Sequence, residues 1–400
     1  MGAMRFAYLM LLLALPAWAM QPLQAMIDAT PPGGVLRLAP GRYAGPAVVD
    51  KPMTLEADGK AVIDNGGKGT VLTLRTSGAT VRGLTLTGSG SSQDGMDAGI
   101  QVEGDDNRIE DNLIADALFG IHIRAGNRNR VLRNRVAGKD LPLGLRGDGV
   151  RLWNSRHNRV EGNSFERVRD LTLANSPDNQ IVGNRLDDGR YGMHIVFSPR
   201  ALVAGNRLSH TATGIIVLYS AEVTLRDNGI AHVFEGGGAG ITFKDSGQAM
   251  VEGNDVIHCA VGLEANTPLS TERVLTIRNN RFAHNIVGMY FYGEQGGHSI
   301  TGNRFENNLT QVVTSAPGTG SANLWRGNYW SDYQGFDRDG DGIGDTPHEL
   351  YAYADRIWME TPKTKFFANA PVLELLDFLE RLAPFSSPSL ILRDAAPRMR

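Results

Sequence analysis

The sequence predicts an all-β protein built as a right-handed parallel β-helix, a solenoid of short stacked strands. Asparagine recurs at intervals of 21 to 29 residues, and the residue two places after it is always apolar. A fixed period in this range indicates a stacked repeat. No stretch between about 55 and 315 carries a long helical period, so strands and bends make up each repeat. The recurring asparagines are Asn112, Asn134, Asn163, Asn184, Asn206, Asn228, Asn254, Asn280 and Asn303.

Fragments such as VEGNSF and ITGNRF alternate apolar and polar residues around glycine or asparagine, which indicates strand, bend and strand. We expect roughly ten to twelve coils about 4.8 Å apart, with Leu, Ile, Val and Phe inside. Asparagine and glycine suit the corners because both tolerate left-handed backbone. Stacked amides can also hydrogen-bond along the axis. A second series stands five residues before the first: Asn107, Asn129, Asn158 and Asn179.

The first 19 residues predict a secretory signal peptide. Arg5 precedes an apolar run from Phe6 to Leu15, and a small-x-small site ends at Ala19. Cleavage after Ala25 is the alternative. No other segment approaches 18 apolar residues, so we expect an exported, soluble periplasmic protein.

Three segments follow the signal peptide. Residues 20–54 predict an N-terminal cap, whose short amphipathic helix covers the open edge of the first coil. Residues 55–315 hold the β-helix repeats. Residues 316–400 form an irregular C-terminal extension that ends in an amphipathic helix, with many prolines and a different composition.

Composition excludes some functions. The net charge of −3 gives no case for binding nucleic acid. Cys259 is the only cysteine, so an internal disulfide is impossible and the apolar column must hold the fold together.

Histidine occupies the position four residues after the asparagine in four consecutive repeats, so imidazoles should stack one coil apart. Two imidazoles at this spacing could bridge a linear soft cation, because two metal–nitrogen bonds of about 2 Å span roughly one coil. Corner positions also hold histidines that only stack, and both interpretations stay open. The four are His210, His232, His258 and His284.

Other soft ligands surround this column. Cys259 follows His258 in sequence, and Met193 and Met289 occupy equivalent positions in separate coils. Alternation places both methionines inward, which favours core packing, and places His194 outward as a candidate surface ligand. Thioether and imidazole ligands together suit copper, especially Cu(I).

A separate motif, DRDGDGIGD, predicts a structural Ca²⁺ site. Asp337, Asp339, Asp341 and Asp345 stand at loop positions 1, 3, 5 and 9, and Ile343 offers a backbone carbonyl. Position 12 is histidine rather than glutamate. An acidic turn that binds no ion is the alternative.

Residues 372–383 predict an amphipathic helix with leucine, valine and alanine on one face. It either packs on the open end of the solenoid or docks on a membrane partner.

Catalytic residues are not evident in the sequence. Solenoids of this shape can cleave polysaccharides with clustered Asp, Lys and Arg, but Asp148, Lys139 and Lys244 share no evident register. An exported polysaccharide lyase, an epimerase or a carbohydrate-binding protein therefore remains the alternative to a non-catalytic accessory protein.

Several motifs resemble one family. The segments YGMHIVFSP, GMYFYGEQG, NYWSDYQGFDRDGDGIGD, DRIWM and FLERLAPF are similar to those of the NosD family, and the likeness covers the whole chain. The N-terminal part resembles the opening of carbohydrate-binding and sugar-hydrolase β-helix domains, and the coils resemble the pectin-lyase-like solenoid.

The resemblance implies a non-catalytic role in the maturation of nitrous-oxide reductase. It implies an ABC transporter partner made of an ATPase and a membrane subunit, and transient copper received from a lipoprotein chaperone. It further implies delivery of that copper to the CuZ site of the reductase. A docking helix and soft ligands are consistent with these expectations.

Overall fold

A computed structural model of the chain describes residues 20–234, 238–267, 274–316, 318–352 and 389–399, together with Pro371, Leu375, Phe378 and Leu379. The described part is a parallel β-solenoid of about 13 turns, so the predicted fold class is confirmed. Each coil contributes strands to three faces, and each strand pairs in parallel with its equivalent in the next coil. Among the described residues, no helix is long and apolar enough to cross a membrane.

Face 1 is a ladder of short strands with polar side chains outward. Its coil strands are Val35–Arg37, Thr54–Glu56, Thr80–Arg82, Arg108–Glu110, Arg130–Leu132, Arg159–Glu161, Gln180–Val182, Leu202–Ala204, Thr224–Arg226, Ala249–Glu252, Leu275–Arg278, Ser299–Thr301 and Leu324–Arg326.

Face 2 follows face 1 in each coil. Its strands are Gln21–Pro22, Gly41–Ala44, Ala61–Asp64, Thr85–Thr87, Leu113–Ala117, Arg135–Gly138, Ser164–Glu166, Gly229–Val233, Asp255–Cys259, Arg281–Ala283, Arg304–Glu306 and Tyr329–Trp330. Face 3 closes each coil with Ala47–Val49, Leu72–Leu74, Ala98–Val102, Phe119–Arg124, Val150–Trp153, Asp170–Ala174, Ala239–Lys244, Val261–Asn266, Val287–Phe291 and Thr310–Thr314. Two long strands, Arg185–Val196 and Arg207–Leu218, bend through the corner and serve both faces.

The asparagine ladder forms at the corner between faces 1 and 2, as the sequence predicts. The backbone N–H and the Nδ2 of Asn134 both donate to Oδ1 of Asn163, at 2.8 and 3.0 Å. The pattern repeats from coil to coil as far as Asn328. The second series makes an equivalent ladder between faces 3 and 1. Left-handed backbone falls on the residue before the ladder asparagine, for example Gly205 at φ 65°.

Both ends of the solenoid differ in detail from expectation. The helix Leu23–Ala29 covers the first coil, but coil strands already occur inside the predicted cap, at Gln21–Pro22 and from Val35 onward. A short 3₁₀ helix, Leu143–Leu145, interrupts one coil. Proline and glycine around residues 31–34 obscure the first repeat in the sequence.

The C-terminal extension is more regular than predicted. The strand His348–Ala352 pairs antiparallel with Ser389–Asp394, which also joins the last strand of face 1. The last described strand therefore lies beyond the predicted helix, because the alternating SLIL segment completes a sheet edge. Trp330 stacks between Phe305 and His348, with ring centroids 4.3 and 4.8 Å away, and closes the apolar interior.

Candidate functional site

Four histidine side chains form an exposed stack at the corner between faces 2 and 3, as their spacing predicts. Neighbouring ring centroids are 5.2, 5.3 and 5.5 Å apart, and the first two pairs lie within 18° of parallel. All four residues have left-handed backbone, with φ between 51° and 59°, a conformation in which histidine is enriched. The fold therefore gives each of four consecutive coils one solvent-facing imidazole: His210, His232, His258 and His284.

The first imidazole of the stack is held by a carboxylate. Nδ1 of His210 lies 2.8 Å from Oδ1 of Asp187, which also accepts a hydrogen bond from Ser209. A carboxylate partner favours the tautomer with the proton on Nδ1, so Nε2 keeps its lone pair for a metal. The pKa of Asp187 lies below its usual range because hydrogen bonds from Ser209 and His210 outweigh its desolvation.

The sulfur ligand candidates are not brought together with this stack. Met193, Met289 and Cys259 are fully buried in the apolar interior. The Cys259 thiol lies 3.3 Å from the carbonyl of Ile257, and burial raises its pKa to about 12, so it stays protonated. The sequence predicted that both methionines point inward, and their burial confirms this.

His194 points outward on face 3, away from the stacked column. Its ring centroid lies 5.3 Å from that of Tyr191. Partial burial lowers the pKa of His194, because desolvation disfavours the imidazolium form. A neutral imidazole retains a lone pair that can bind a metal.

A charged cluster that the sequence analysis missed lies beside His194. Asp148 and Asp170 are both buried, although the sequence suggested that Asp148 was isolated. Asp148 accepts from Arg151 at 3.0 Å and from Arg169 at 2.9 Å. Arg190 makes a two-point contact with Asp170, in which Nε donates to Oδ1 and Nη2 donates to Oδ2.

Two long loops build this part of face 3. Residues 88–97 and 139–149 interrupt neighbouring coils, and Gln93 Nε2 donates to the carbonyl of Leu145 at 2.8 Å. The sequence does contain a sign of the second loop. The interval between Asn134 and Asn163 is 29 residues, longer than the common spacing because it includes the loop 139–149.

The carboxylates of Asp148 and Asp170 already accept several hydrogen bonds from neighbouring residues. Both oxygens of Asp148 accept from guanidinium groups, and Oδ1 of Asp170 also accepts from the backbone N–H of Tyr191 at 3.0 Å. Both carboxylates are also fully buried, so a substrate on the surface has no direct hydrogen-bond contact with them. The cluster can orient a ligand, but Asp148 and Asp170 do not resemble general bases.

The acidic loop brings together three of its predicted ligands. Carboxylate oxygens of Asp337, Asp339 and Asp341 all lie within 4.8 Å of one another. Within the described ranges, no other group of three or more His, Cys, Asp or Glu side chains comes this close together. Asp345 accepts from the backbone N–H of Arg338 instead. Gly342 has φ 84°, as the tight-turn position requires. The ligand set is all oxygen, which fits a hard cation such as Ca²⁺. Ile343 donates its N–H to Asp341.

The predicted docking helix lies largely outside the described residues. Leu375, Phe378 and Leu379 are helical and exposed, by 56, 57 and 42%. Their spacing places them on one side of a helix.

Comparisons with known proteins identify the family. Residues 132–335 match the family described as periplasmic copper-binding protein (NosD). A probable ABC transporter binding protein NosD from Pseudomonas aeruginosa is 32% identical, over 98% of this chain and 94% of the relative. Its counterpart from Stutzerimonas stutzeri is 28% identical, over 91% of this chain and 86% of the relative.

A solved structure agrees with the fold. The A-module of the mannuronan C-5 epimerase AlgE6 from Azotobacter vinelandii has a TM-score of 0.50 at 15% identity, covering 75% of this chain and 93% of that one. At this identity the likeness concerns the β-helix alone. Sequence identity along nearly the whole chain carries the assignment: this protein belongs to the NosD family of periplasmic copper-binding proteins.

Proposed function

We propose that this protein is a periplasmic maturation factor that works with an ABC transporter to deliver copper to nitrous-oxide reductase, for assembly of its CuZ site. The family description and the names of its relatives support the copper and transporter parts of this proposal. The observation that carries it is the exposed stack of four imidazoles.

Copper is the cargo, and the histidine column is its carrier. Neighbouring imidazoles lie 5.2 to 5.5 Å apart between centroids, close to the span of a nitrogen–copper–nitrogen bridge of about 4 Å. Parallel rings do not point their nitrogens at each other, so binding requires rotation of the side chains, which their exposure permits. A two-coordinate, solvent-facing site suits a protein that must release its metal, and imidazole is a ligand that copper accepts. His194 offers a further imidazole on face 3.

The C-terminal helix would dock on the membrane subunit of the transporter. Three exposed apolar side chains on one side of a helix support docking over packing on the solenoid, since packing would cover them. Through that subunit the protein would be coupled to the ATPase. The copper-chaperone lipoprotein and the reductase would each meet the histidine column, because the metal must pass there.

The aspartate loop holds a structural Ca²⁺. Its backbone joins the end of the solenoid: Gly344 N–H donates to the carbonyl of Pro397, and Met399 N–H donates to that of Gly342. A cation would neutralise three crowded carboxylates and so stabilise this junction.

Anaerobic titration of the mature protein with Cu(I), against a chromophoric chelator, tests the copper proposal. His232→Ala with His258→Ala should weaken Cu(I) binding at least tenfold. His157→Ala is the matched control, because His157 is also exposed with left-handed backbone but lies at the corner between faces 3 and 1. Wild-type affinity in the double variant, with an active reductase in cells, would show that the column only stacks.

A further inference from the structure

Face 3 carries a polar row of which the proposed copper role uses only one member, His194. His122, Arg151 and Thr172 occupy equivalent positions on three consecutive coils, and His194 continues the row on the fourth. His122 is 5% and Thr172 3% exposed. These polar side chains point away from the apolar interior and are nevertheless buried.

Three atoms in this row have no hydrogen-bond partner among the described residues. They are Nδ1 of His122, Nε of Arg151 and Oγ1 of Thr172. A buried polar atom without a partner costs stability, because it has lost water and gained nothing in exchange. Three such atoms on adjacent coils indicate a place that is completed by a bound group.

All three atoms can donate a proton to the same kind of acceptor. Burial lowers the pKa of His122 to about 4, so its imidazole is neutral and can carry one N–H. The guanidinium of Arg151 and the hydroxyl of Thr172 are donors as well. The nearby network has three guanidiniums for the two carboxylates of Asp148 and Asp170, which leaves positive charge in excess. Such a row fits an anionic oxygen group.

Exposed aromatic rings lie near the polar row. Trp153 is two residues beyond Arg151 on the same outward side, is 38% exposed, and has its ring centroid 5.4 Å from the guanidinium carbon. Phe197 and Tyr219 lie two and three coils further, one residue beyond the position equivalent to Trp153, and are exposed and stacked with centroids 5.0 Å apart. Flat apolar rings next to hydrogen-bond donors are suited to the apolar face and polar edge of a sugar.

We propose that face 3 is a binding site for an acidic saccharide. Carboxylate oxygens of adjacent sugar units take the donors of His122, Arg151 and Thr172, and one sugar ring lies against Trp153. The polar row repeats once per coil from His122 to His194, so an extended oligosaccharide can lie along the solenoid axis across several units. The site binds and does not cleave, because Asp148 and Asp170 are fully buried and hydrogen-bonded to arginines. A ligand must displace part of Arg151, whose side chain keeps 17% exposure, to reach the buried donors. The three donors and Trp153 lie apart from the histidine column and include none of the proposed copper ligands.

Calorimetric titration of the mature full chain with a galacturonate trimer tests the proposal, with a neutral glucose trimer, a glutamate tripeptide and inorganic phosphate as comparison ligands. We expect the uronate trimer to bind with higher affinity than each of the three comparison ligands. Equal binding of the neutral trimer, phosphate or the peptide, or no binding of the uronate, would overturn the assignment.

Variants locate the site. Thr172→Val should weaken uronate binding about tenfold or more, since it removes a donor to a charged oxygen. Trp153→Ala should weaken it about threefold to tenfold. Thr211→Val is the matched control, because Thr211 is equally buried with an unpartnered hydroxyl but lies outside the row. An equal effect of the two threonine variants, with folding verified by circular dichroism, would place the ligand elsewhere. Cu(I) affinity should be unchanged in every variant, which separates this result from the copper proposal.

Discussion

Asp394 offers a quantitative test of how the C-terminal segment closes the solenoid. Its side chain is fully buried and ends the asparagine ladder. Oδ2 accepts from the N–H and Nδ2 of Asn328, at 3.0 and 2.8 Å, and from Nε1 of Trp330 at 3.2 Å. Oδ1 accepts from the backbone N–H groups of Gly327 and Ala396, both at 3.1 Å. Replacing Asp394 by alanine removes all five acceptor contacts.

The expected cost follows from which donors stay buried. The three donors on Asn328 and Trp330 have no route to water, and each costs about 1–3 kcal/mol when left unsatisfied. Relief from burying a carboxylate offsets part of this sum. We expect Asp394→Ala to lower the free energy of unfolding of the C-terminal coils by about 3–5 kcal/mol. Asp394→Asn should cost less, because one oxygen of the same shape remains.

Urea denaturation followed by tryptophan fluorescence and by far-ultraviolet circular dichroism measures the effect. Coils in a solenoid contact only their neighbours, so the fluorescence of Trp325 and Trp330 should change before the circular dichroism does. Asp140→Ala is the control, an exposed carboxylate whose loss should cost within about 0.5 kcal/mol. An unchanged midpoint for Asp394→Ala would refute the view that the ladder is closed from the C-terminal strand.

Three further outcomes are expected. Chelation should lower the melting temperature and added Ca²⁺ should restore it, whereas Asp337→Asn should abolish this response; identical melting with chelator and with Ca²⁺ would exclude the site. The folded pKa of His122 lies below the ordinary value of 6.5, so the unfolded chain binds more protons between about pH 6.5 and 4. Stability should therefore fall by about 3 kcal/mol as the pH drops through that window, less so in His122→Gln, as acid titration of both proteins would reveal. Leu375→Asp with Phe378→Asp should abolish co-purification with the transporter membrane subunit, whereas Leu145→Asp, an equally exposed leucine on a coil loop, should not; retained co-purification would point to the coils.

The features that the sequence predicted are those fixed by register. Once the asparagine period is recognised, each position relative to it recurs one coil away, so the ladders and the histidine stack follow directly. The inward methionines follow from alternation by the same reasoning. Their burial, and that of Cys259, also explains why the candidate ligands do not form one site: inside and outside alternate along each strand.

The features that the sequence did not predict depend on departures from the period. The Asp148 cluster exists because two loops cover one part of face 3, and loop conformation is not encoded in a repeat. Asp170 and Arg190 fall at irregular positions where a bulge shifts the pairing, so counting from the asparagine does not align them. The contact between Asn328 and Asp394 joins residues 66 apart, across a segment without repeats.

The histidine column allows a stricter test than the loss of any single imidazole. If each copper ion bridges two neighbouring rings, then His232→Ala with His258→Ala leaves His210 and His284 three coils apart and no pair. His210→Ala with His284→Ala removes as many imidazoles but leaves one adjacent pair, at 5.3 Å between centroids. The inner double variant should therefore lose tight Cu(I) binding, while the outer one keeps a single tight site. Equal losses in the two would mean that each imidazole acts alone, and full retention in both would move the copper to His194 or elsewhere. The comparison holds composition and charge constant, so only adjacency along the solenoid differs.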